Sequence, residues 1–323
     1  MIEKDVAHII AIGAAVQDVF LSGDVFKAQN EDGVMVEEFH LGEKYDVEDV
    51  VFATGGGAAN AAVTFARQGL HSKFLGRIAD DLAGKAVIED LHKETVDTSL
   101  VIEDKDGRTG YSTLLLAPSG ERTILTFRGS SSQFEPDDFK LKDIEADWLY
   151  ISSLAGNLDA LERAISEAVA SDIKIAINPG KDELNQPERL KDLLKKCHIL
   201  ALNKDEIQKL VEGDSDEALV RHCSDMVSTV VMTDGPQGVT ATNREQVIKG
   251  GMYEDVPVID RTGAGDAFAS GLVAMLAQNK SLSEAIIFAS ANSTSVVGKI
   301  GAKAGILSDD AILHEMPLEI KDF

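Results

Sequence analysis

The sequence predicts an α/β fold built on a mostly parallel sheet, and two observations support this class. Between residues 148 and 233, short apolar runs alternate with segments whose apolar side chains recur every three or four positions. Strands that alternate with helices in this way pair in parallel, and helices cover both faces of the sheet. The chain is also long enough to build such a core, because 44% of its 323 residues are apolar.

The expected elements follow in chain order. A first strand is expected at Ile9–Ile12, and a helix at about Ala58–Gln68, which Gly69 closes. The alternating part then predicts the strands Trp148–Ile151, Ile173–Ile177, Ile199–Leu202 and Val230–Thr233, with helices over Leu158–Val169, from Pro187 onward, and over about Ala218–Met226.

Two stretches, residues 19–53 and 101–130, interrupt the alternation. They lack helical periodicity and contain the β-rich segments Val34–Leu41 and Tyr111–Leu116. In the second stretch, a predicted turn at residues 118–121 follows the β-rich segment. These segments are therefore expected to form short strands.

We interpret these strands, together with another at Thr123–Phe127, as a small sheet that projects from the core as a lid over a site. The alternative is that they only extend the edge of the main sheet. The expected division is a core of residues 1–18, 54–100 and 131–323 and a lid of residues 19–53 and 101–130.

The charge balance limits the partners of this protein. Its 31 basic and 55 acidic residues give a net charge of −24, so we expect no nucleic acid as a partner. A nucleotide substrate is still allowed, because backbone amides and a divalent cation can hold phosphate locally. No apolar run approaches the roughly 20 residues that span a bilayer, and no membrane contact is expected. Cys197 and Cys223 form no CxxC pair and are predicted to be buried free thiols of a cytoplasmic protein.

The strongest local signal lies in residues 258–271, where an apolar strand end leads into a loop of small residues and then into a helix. Backbone N–H groups of Gly263, Ala264 and Gly265 can converge there on an anion at the helix N-terminus. Asp266, directly after them, is placed to accept a proton from an attacking hydroxyl during phosphoryl transfer. The alternative is that Asp266 only caps the helix.

A second glycine-rich cluster, residues 55–62, also opens a helix. Its glycines allow a ligand to approach the backbone, and Asn60 offers a donor and an acceptor to sugar hydroxyls. Asp18 follows the first strand at the edge where ligands bind in open α/β sheets. A tight turn before a packed helix and a surface aspartate are the plainer alternatives.

Several familiar catalytic patterns are absent from the sequence. It contains no GxxxxGK[ST] loop, no GxGxxG after a strand, no HExxH, no GxSxG and no HRD or DFG set. The seven histidines show no ligand spacing. Dinucleotide oxidoreductases and these hydrolase classes are therefore disfavoured.

The two glycine-rich clusters together resemble the signatures of the PfkB, or ribokinase-like, carbohydrate kinase family. The first reads GGGAANAAVTFARQG from residue 55, and the second reads DRTGAGDAF from residue 260. Residues 203–206, NKDE, are similar to the family's N-x-x-E motif, and residues 233–238, TDGPQG, to its nucleotide-contacting loop. The tail from residue 292 to 305 resembles the segment beside the base and the monovalent-cation site. This likeness implies a three-layer α/β/α core with a small β lid.

The resemblance also implies roles for individual residues. Asp266 would be the general base, and its anion hole would be formed by Gly263, Ala264 and Gly265. The sugar would be held by Asp18, Gly56, Gly57 and Asn60. Magnesium would be organised by Asn203 and Glu206, and ATP would be flanked by Thr233, Gly235 and Gly238, with Asn292 near the base. A potassium-type cation would lie beside Asp260 and Thr262.

The chain departs from the family pattern at three places. Arg261 stands where a small or β-branched residue is usual, and Ala79 replaces a glycine before an Asp-Asp pair. The lysine that follows the paired glycines in ribokinases is missing, since Gly57 and Ala58 fill that region, which disfavours ribose.

The expected activity is ATP-dependent phosphorylation of a hydroxymethyl group on a small sugar. A nucleoside such as adenosine, inosine or cytidine is the alternative acceptor, and a non-catalytic sensor of sugar or nucleotide is a lesser one. We expect an aromatic side chain of the lid, Phe39 or Tyr111, to contact the acceptor. A homodimer that pairs through the lid is also expected, because unpaired sheet edges tend to be covered.

Overall fold

The computed structural model describes residues 6–119, 121–253 and 256–323. Its strands are β1 His8–Ile12, β2 Val16–Ser22, β3 Gln29–Glu31, β4 Val34–Val36, β5 Asp49–Gly55, β6 His71–Leu75, β7 Arg77–Ala79, β8 Ile102–Asp104, β9 Gly110–Leu116, β10 Arg122–Phe127, β11 Trp148–Ile151, β12 Lys174–Ile177, β13 Ile199–Asn203, β14 Thr229–Thr233, β15 Val239–Thr242, β16 Gln246–Gly250 and β17 Leu318–Asp322. Its helices are α1 Gly57–Arg67, α2 Leu82–Lys93, α3 Leu158–Ala170, α4 Lys181–Leu184, α5 Pro187–Leu194, α6 Lys204–Ile207, α7 Asp216–Ser224, α8 Ala264–Ala277 and α9 Leu282–Val297.

A large sheet forms the centre of the molecule. Within the described residues its strand order is β17-β16-β15-β14-β13-β12-β11-β1-β6. The strands from β14 to β6 pair in parallel, whereas β15, β16 and β17 continue the sheet in antiparallel pairs. The predicted parallel sheet is therefore present and carries an antiparallel extension at one edge.

Alternation along the parallel strands divides the core between two faces. Ile9 and Tyr150 pack with α1, α8 and α9 on one face, whereas Ile10 and Leu149 pack with α3, α5 and α7 on the other. Buried parallel strands need apolar residues on both sides, which explains their continuous apolar runs. The result is a helix layer, a sheet and a second helix layer.

A second sheet of four strands, in the order β10-β9-β2-β5, stands apart from the large sheet. Its strands β9 and β10 lie within residues 101–130, while β2 begins at Val16 and β5 ends at Gly55. The alternative that these strands extend the main sheet is thus wrong. The assignment of core and lid as separate domains stays a prediction.

Most predicted elements are confirmed within two residues, and the strand Trp148–Ile151 matches throughout. The β-rich segment Val34–Leu41 is an exception, because its strand ends at Val36. Beyond that point Glu37 and Glu38 bring charges into the segment, and Leu41 is fully exposed. Gly120 of the predicted turn lies outside the described residues.

Both cysteines are buried free thiols, as predicted. Burial raises the pKa of Cys197 and of Cys223 to about 12, so neither is a reactive thiolate at neutral pH. In the part of the chain that the structure describes, no helix combines the length and the apolar character needed to cross a membrane.

Candidate active site

Polar side chains collect where the parallel strands end. Ser152 follows β11, Asn178 follows β12, and Asn203 and Thr233 are the last residues of β13 and β14. Parallel strands end at the same edge of the sheet, and ligands bind in the crevice there. Three adjoining cavities of about 340, 180 and 330 Å³ occupy this edge.

The glycines at and before the start of α1 are required because other atoms lie too close to leave room for a Cβ, and not only because the chain turns there. A Cβ atom on Gly55 would lie 2.2 Å from Asp18 Oδ2, and one on Gly57 would lie 2.2 Å from Ser152 Oγ. Gly56 has a φ of +98°, and a Cβ there would lie 2.5 Å from the backbone oxygen of Ala14. The cluster therefore lets polar side chains of two other strands approach the start of α1.

Asp266 lies in the first turn of α8, which Gly263 enters with a φ of +80°. Its Oδ2 accepts a hydrogen bond of 2.8 Å from Asn60 Nδ2. Burial raises the pKa of Asp266, and the hydrogen bond from Asn60 opposes this rise. No backbone N–H in the described parts of the chain donates to the carboxylate, so the capping alternative is not supported.

Asp266 lines two of the three cavities. One is the cavity of about 330 Å³, which it shares with Gly57 and Glu206. The other, of about 180 Å³, is also lined by Gly265 and Asn203 and lies beside the cavity of about 340 Å³, which contains both of these residues too. Asp266 thus stands between the cavity of about 340 Å³ and the one beside Gly57.

The cavity of about 340 Å³ contains most of the residues expected at the nucleotide. Thr233, Gly235 and Gly238 line it together with Ala264 and Gly265. The structure does not bring Asn292 to this cavity. Its side chain is fully buried, its Nδ2 donates to the backbone oxygen of Ala267, and its Oδ1 accepts from the N–H of Leu307. The neighbouring Ser290, Ser293 and Thr294 line the cavity instead.

Asn203 and Glu206 form a capping box at the start of α6. The Asn203 Oδ1 accepts from the Glu206 N–H, and Glu206 Oε2 accepts from the Asn203 N–H, both at 2.9 Å. Burial raises the pKa of Glu206. The other carboxylate oxygen of Glu206 takes no part in this box, and the residue lines the same two cavities as Asp266.

Asp18 is 5% exposed on β2, beside Gly55. Burial raises its pKa to about 6, against the effects of a hydrogen bond from Ser112 and of the charge of Lys303. The charges of Asp260 and Asp266 raise it further, which shows that the three carboxylates share one region.

Lys303, buried in the loop after α9, connects three parts of this region. Its Nζ donates to the hydroxyl of Thr54, at the end of β5, and to Asp90 Oδ2 on α2 at 2.5 Å. Burial lowers the pKa of Lys303, whereas Asp90 opposes this. No local pattern in the sequence singles out this lysine.

Asp260 and Thr262 lie together, as the sequence predicts for the potassium-type site. Asp260 Oδ1 accepts from the Thr262 N–H at 2.9 Å and from its hydroxyl at 2.7 Å, and Asp260 Oδ2 accepts from the Gly301 N–H at 3.1 Å. Arg122 lies 3.9 Å from Oδ1. The positive guanidinium of Arg122 thus stands where a monovalent cation would approach Oδ1, so these residues do not fit such a cation while Arg122 is in place.

Other residues of the cleft lie outside the predicted motifs. The cavity beside Gly57 is lined by Ser131, Ser132, Ser152 and Ser153 and by Arg128, whose guanidinium lies 3.5 Å from Asp182. Neither Phe39 nor Tyr111 lines it. Phe39 packs against the rings of Phe26 and Tyr45 instead, so the expected aromatic contact is not present in this arrangement.

The buried Glu183 also lacked a sequence signal. Its carboxylate accepts hydrogen bonds from Ser153 Oγ and from the N–H groups of Leu154, Gly156 and Gly180. These donors belong to the two loops that form one wall of the cavity beside Gly57. Glu183 therefore fixes that wall.

The fold and the cleft are those expected for an α/β phosphotransferase, in which the predicted anion site at the start of α8 adjoins the buried carboxylate of Asp266. The family model for pfkB family carbohydrate kinases matches residues 30–309. The chain therefore belongs to this family. The predicted family, the ribokinase-like fold and the predicted class of enzyme, a carbohydrate kinase, are confirmed.

Individual relatives agree with this assignment. The chain is 29% identical over 276 residues to a ribokinase of Staphylococcus aureus, which covers 82% of this chain and 89% of the relative. It is 33% identical over 242 residues to a fructokinase of Klebsiella pneumoniae, at 69% and 76% coverage.

Solved structures share the fold. A nucleoside kinase of Methanocaldococcus jannaschii, an archaeal member of the ribokinase family, has a TM-score of 0.78 at 17% identity and covers 94% of this chain and 96% of its own. A ribokinase of Arabidopsis thaliana complexed with ribose and ATP has a TM-score of 0.76 at 20% identity, with 94% and 96% coverage.

Proposed function

We propose that this enzyme transfers the γ-phosphoryl group of ATP directly to a hydroxymethyl group of a small sugar. The position of Asp266 carries this proposal, because its carboxylate lines both the cavity beside Gly57 and the cavity that adjoins the start of α8. An acceptor in the first cavity and a phosphoryl group at the helix N-terminus would meet at this carboxylate.

The cavity of about 340 Å³ suits the nucleotide. Val258, Phe268 and Val297 give it an apolar wall for a base, and Gly235 and Gly238 leave room for close approach to the backbone. The phosphates would then extend toward the N–H groups at the start of α8, where the helix dipole favours an anion. The named relatives and the ATP-bound neighbour support ATP as the donor.

Asn203 and Glu206 fit a magnesium ion held largely through water. Glu206 keeps one carboxylate oxygen outside its capping box, and it lines the cavities between the two substrates. Magnesium usually binds proteins through one or two carboxylates and substrate phosphates, and it neutralises phosphate charge when bound.

Asp266 is proposed to accept the proton of the acceptor hydroxyl. Burial raises its pKa toward the working pH, which suits a general base, and Asn60 fixes the orientation of the carboxylate. The N–H groups of Gly263, Ala264 and Gly265 stabilise the charge that develops on the transferred group. Gly57 lines the acceptor cavity, and Asp18, Gly56 and Asn60, which are not among its lining residues, are proposed to complete the sugar site.

The lining of the acceptor cavity favours a sugar over a nucleoside. Among the described residues it contains serine hydroxyls, Asn178 and Arg128, but no aromatic ring on which a base could stack. Polyhydroxylated ligands match such donors and acceptors. A nucleoside is the second candidate, because the archaeal neighbour with the same fold is named a nucleoside kinase.

ADP release in the presence of magnesium tests the proposal. The acceptors are ribose, fructose, 2-keto-3-deoxygluconate, fructose phosphates, adenosine, inosine and cytidine. We expect turnover with a sugar, and a loss of about 10²- to 10⁴-fold in kcat for Asp266→Asn. Asp106→Asn, which changes the same charge on an exposed loop, is the control. Nucleotide binding without turnover on any acceptor, or an active Asp266→Asn, would contradict the mechanism.

The lid sheet also supports the expected homodimer, through its outer face rather than its edge. Register puts Phe52 and Leu125 in one row across the sheet, with Val19 and Thr113 between them, and pairs Phe127 directly with Tyr111, all on the side opposite Asp18. Phe52, Leu125 and Phe127 are 67%, 59% and 56% exposed. An apolar sheet face of this kind is typical of an interface.

Sedimentation velocity tests the dimer. We expect the unmodified protein to sediment as a dimer and Phe52→Glu to sediment as a monomer. Leu41→Glu, which introduces the same charge at an exposed leucine outside the lid sheet, should leave the dimer intact. A monomeric unmodified protein would refute the interface.

A further inference from the structure

Arg122 of the lid reaches the loop that precedes Asp266. Its Nε lies 3.9 Å from Asp260 Oδ1, and the Asp260 side chain is fully buried. The Arg122 Nε is itself buried and has no hydrogen-bond partner within the described residues. The guanidinium is thus placed beside a carboxylate that water does not reach.

The carboxylate that Arg122 faces holds two loops in place. Asp260 accepts two hydrogen bonds from Thr262, directly before the Gly263–Gly265 segment, and one from the N–H of Gly301. Gly301 precedes Ala302, which packs so closely on Gly263 that a Cβ there would lie 2.4 Å from the Ala302 Cβ. The charge of Asp260 therefore contributes to the shape of the expected anion hole.

A buried carboxylate needs a cation nearby, because removal from water costs several kcal/mol per ion. Lys303 lies in the same region, but its ammonium is hydrogen-bonded to Asp90 and Thr54. Within the described residues, Asp260 forms its ion pair with Arg122. Neutral donors from Thr262 and Gly301 complete the carboxylate's partners.

We propose that Arg122 supplies the positive charge that Asp260 needs, so that this enzyme requires no monovalent cation. Arg122 is a positioning residue: it acts on the anion hole through Asp260 and Thr262. The expected effect of Arg122 on kcat rests on the proposed function. The compensation of the Asp260 charge by Arg122 does not, because it is a property of the folded chain.

The first test compares activity in choline chloride and in potassium chloride. We expect the unmodified enzyme to change by less than about two-fold between the salts. Arg122→Gln should lose about 100-fold in kcat in choline, because the buried Asp260 carboxylate loses its charged partner, and should regain activity in potassium. Arg122→Lys keeps the positive charge and should therefore be active in choline. Arg108→Gln, which removes an exposed lid guanidinium that donates to the Gly107 carbonyl, is the matched control.

Three results of this assay would overturn the proposal. The first is a requirement of the unmodified enzyme for potassium, with activation of about ten-fold or more. The second is an Arg122→Gln enzyme that is fully active in choline. The third is an Arg122→Gln enzyme that stays inactive in potassium together with an Arg122→Lys enzyme that is also inactive, because the charge at this position would then have no effect.

Thermal unfolding supplies a readout that needs no turnover. Potassium should raise the Tm of Arg122→Gln above its value in choline and leave the Tm of the unmodified protein and of Arg108→Gln unchanged. If no acceptor is phosphorylated and this pattern is still found, the charge compensation stands while the proposed function fails. An equal rise of Tm in the unmodified protein and in Arg122→Gln would refute the compensation.

Discussion

Replacement of Asp18 by asparagine should stabilise the protein, and the gain should grow with pH. Burial raises the pKa of Asp18 from 3.8 to about 6. The folded state therefore binds the proton more tightly than the unfolded state, and stability is lost as pH rises from 3.8 through about 6. A shift of about two units corresponds to about 3 kcal/mol, and no large reduction for solvent screening applies at 5% exposure.

Urea unfolding at pH 5 and pH 8 measures this effect. About half of the total, roughly 1.4 kcal/mol, should arise between these pH values. The difference in free energy of unfolding between Asp18→Asn and the unmodified protein should increase by that amount. Asparagine is similar in size to aspartate, so it keeps the close packing against Gly55.

Asp106→Asn, which removes the same charge on an exposed loop, is the control for the change in net charge. If the Asp18→Asn difference is the same at pH 5 and pH 8, burial does not set the ionisation of Asp18. The same variant should raise the KM for the acceptor, since Asp18 is expected to bind sugar hydroxyls.

Four further changes test the packing around the cleft. Gly56→Ala should destabilise the fold by about 1–3 kcal/mol in urea unfolding, because its φ is positive and backbone lies within 2.5 Å. Gly57→Ala places its Cβ 2.2 Å from Ser152 Oγ and 3.4 Å from Asp266 Oδ1, so it should mainly displace the Ser152 hydroxyl and raise the acceptor KM. An unchanged stability of Gly56→Ala would contradict this. Glu183→Gln should cost about 1–3 kcal/mol, since an amide cannot accept from all its donors, and wild-type stability would refute its role. Lys303→Met should raise the pKa of Asp18, because the positive charge of Lys303 lowers that pKa in the unmodified protein. Titration of Asp18 followed by NMR measures this change, and an unchanged pKa would contradict the prediction.

Local sequence patterns predicted the elements whose structure depends on the spacing of apolar residues and on capping residues. The strand Trp148–Ile151 and the helix that begins at Leu158 follow from the period of their apolar residues, and α5 begins at Pro187 as expected. The antiparallel strands β15, β16 and β17 were not predicted. β15 and β16 follow β14 in successive hairpins, and their short runs mix apolar with polar residues, whereas β17 pairs with β16 from far along the chain.

The candidate site divides in the same way. The glycines at 55–57 and 263 were visible in the sequence because close contacts and positive φ values demand small residues. Ser152 and Lys303 were not visible, because each depends on a partner far along the chain. Asn292 shows the reverse error: its type suggested a ligand contact, but backbone groups of the core use both ends of its amide.

The cleft holds three carboxylates that folding alone would not favour. Asp260 and Asp266 both raise the pKa of Asp18, and burial raises the pKa of Asp266 itself. Two cations, the buried Lys303 and the partly exposed Arg122, come from distant segments and offset part of this cost. A chain selected only for stability would replace these groups with apolar residues, so local violations of this kind are expected at functional sites. The stability gain predicted for Asp18→Asn therefore measures the free energy of unfolding that the protein loses by keeping a buried carboxylate in the proposed site for a sugar and a phosphoryl group.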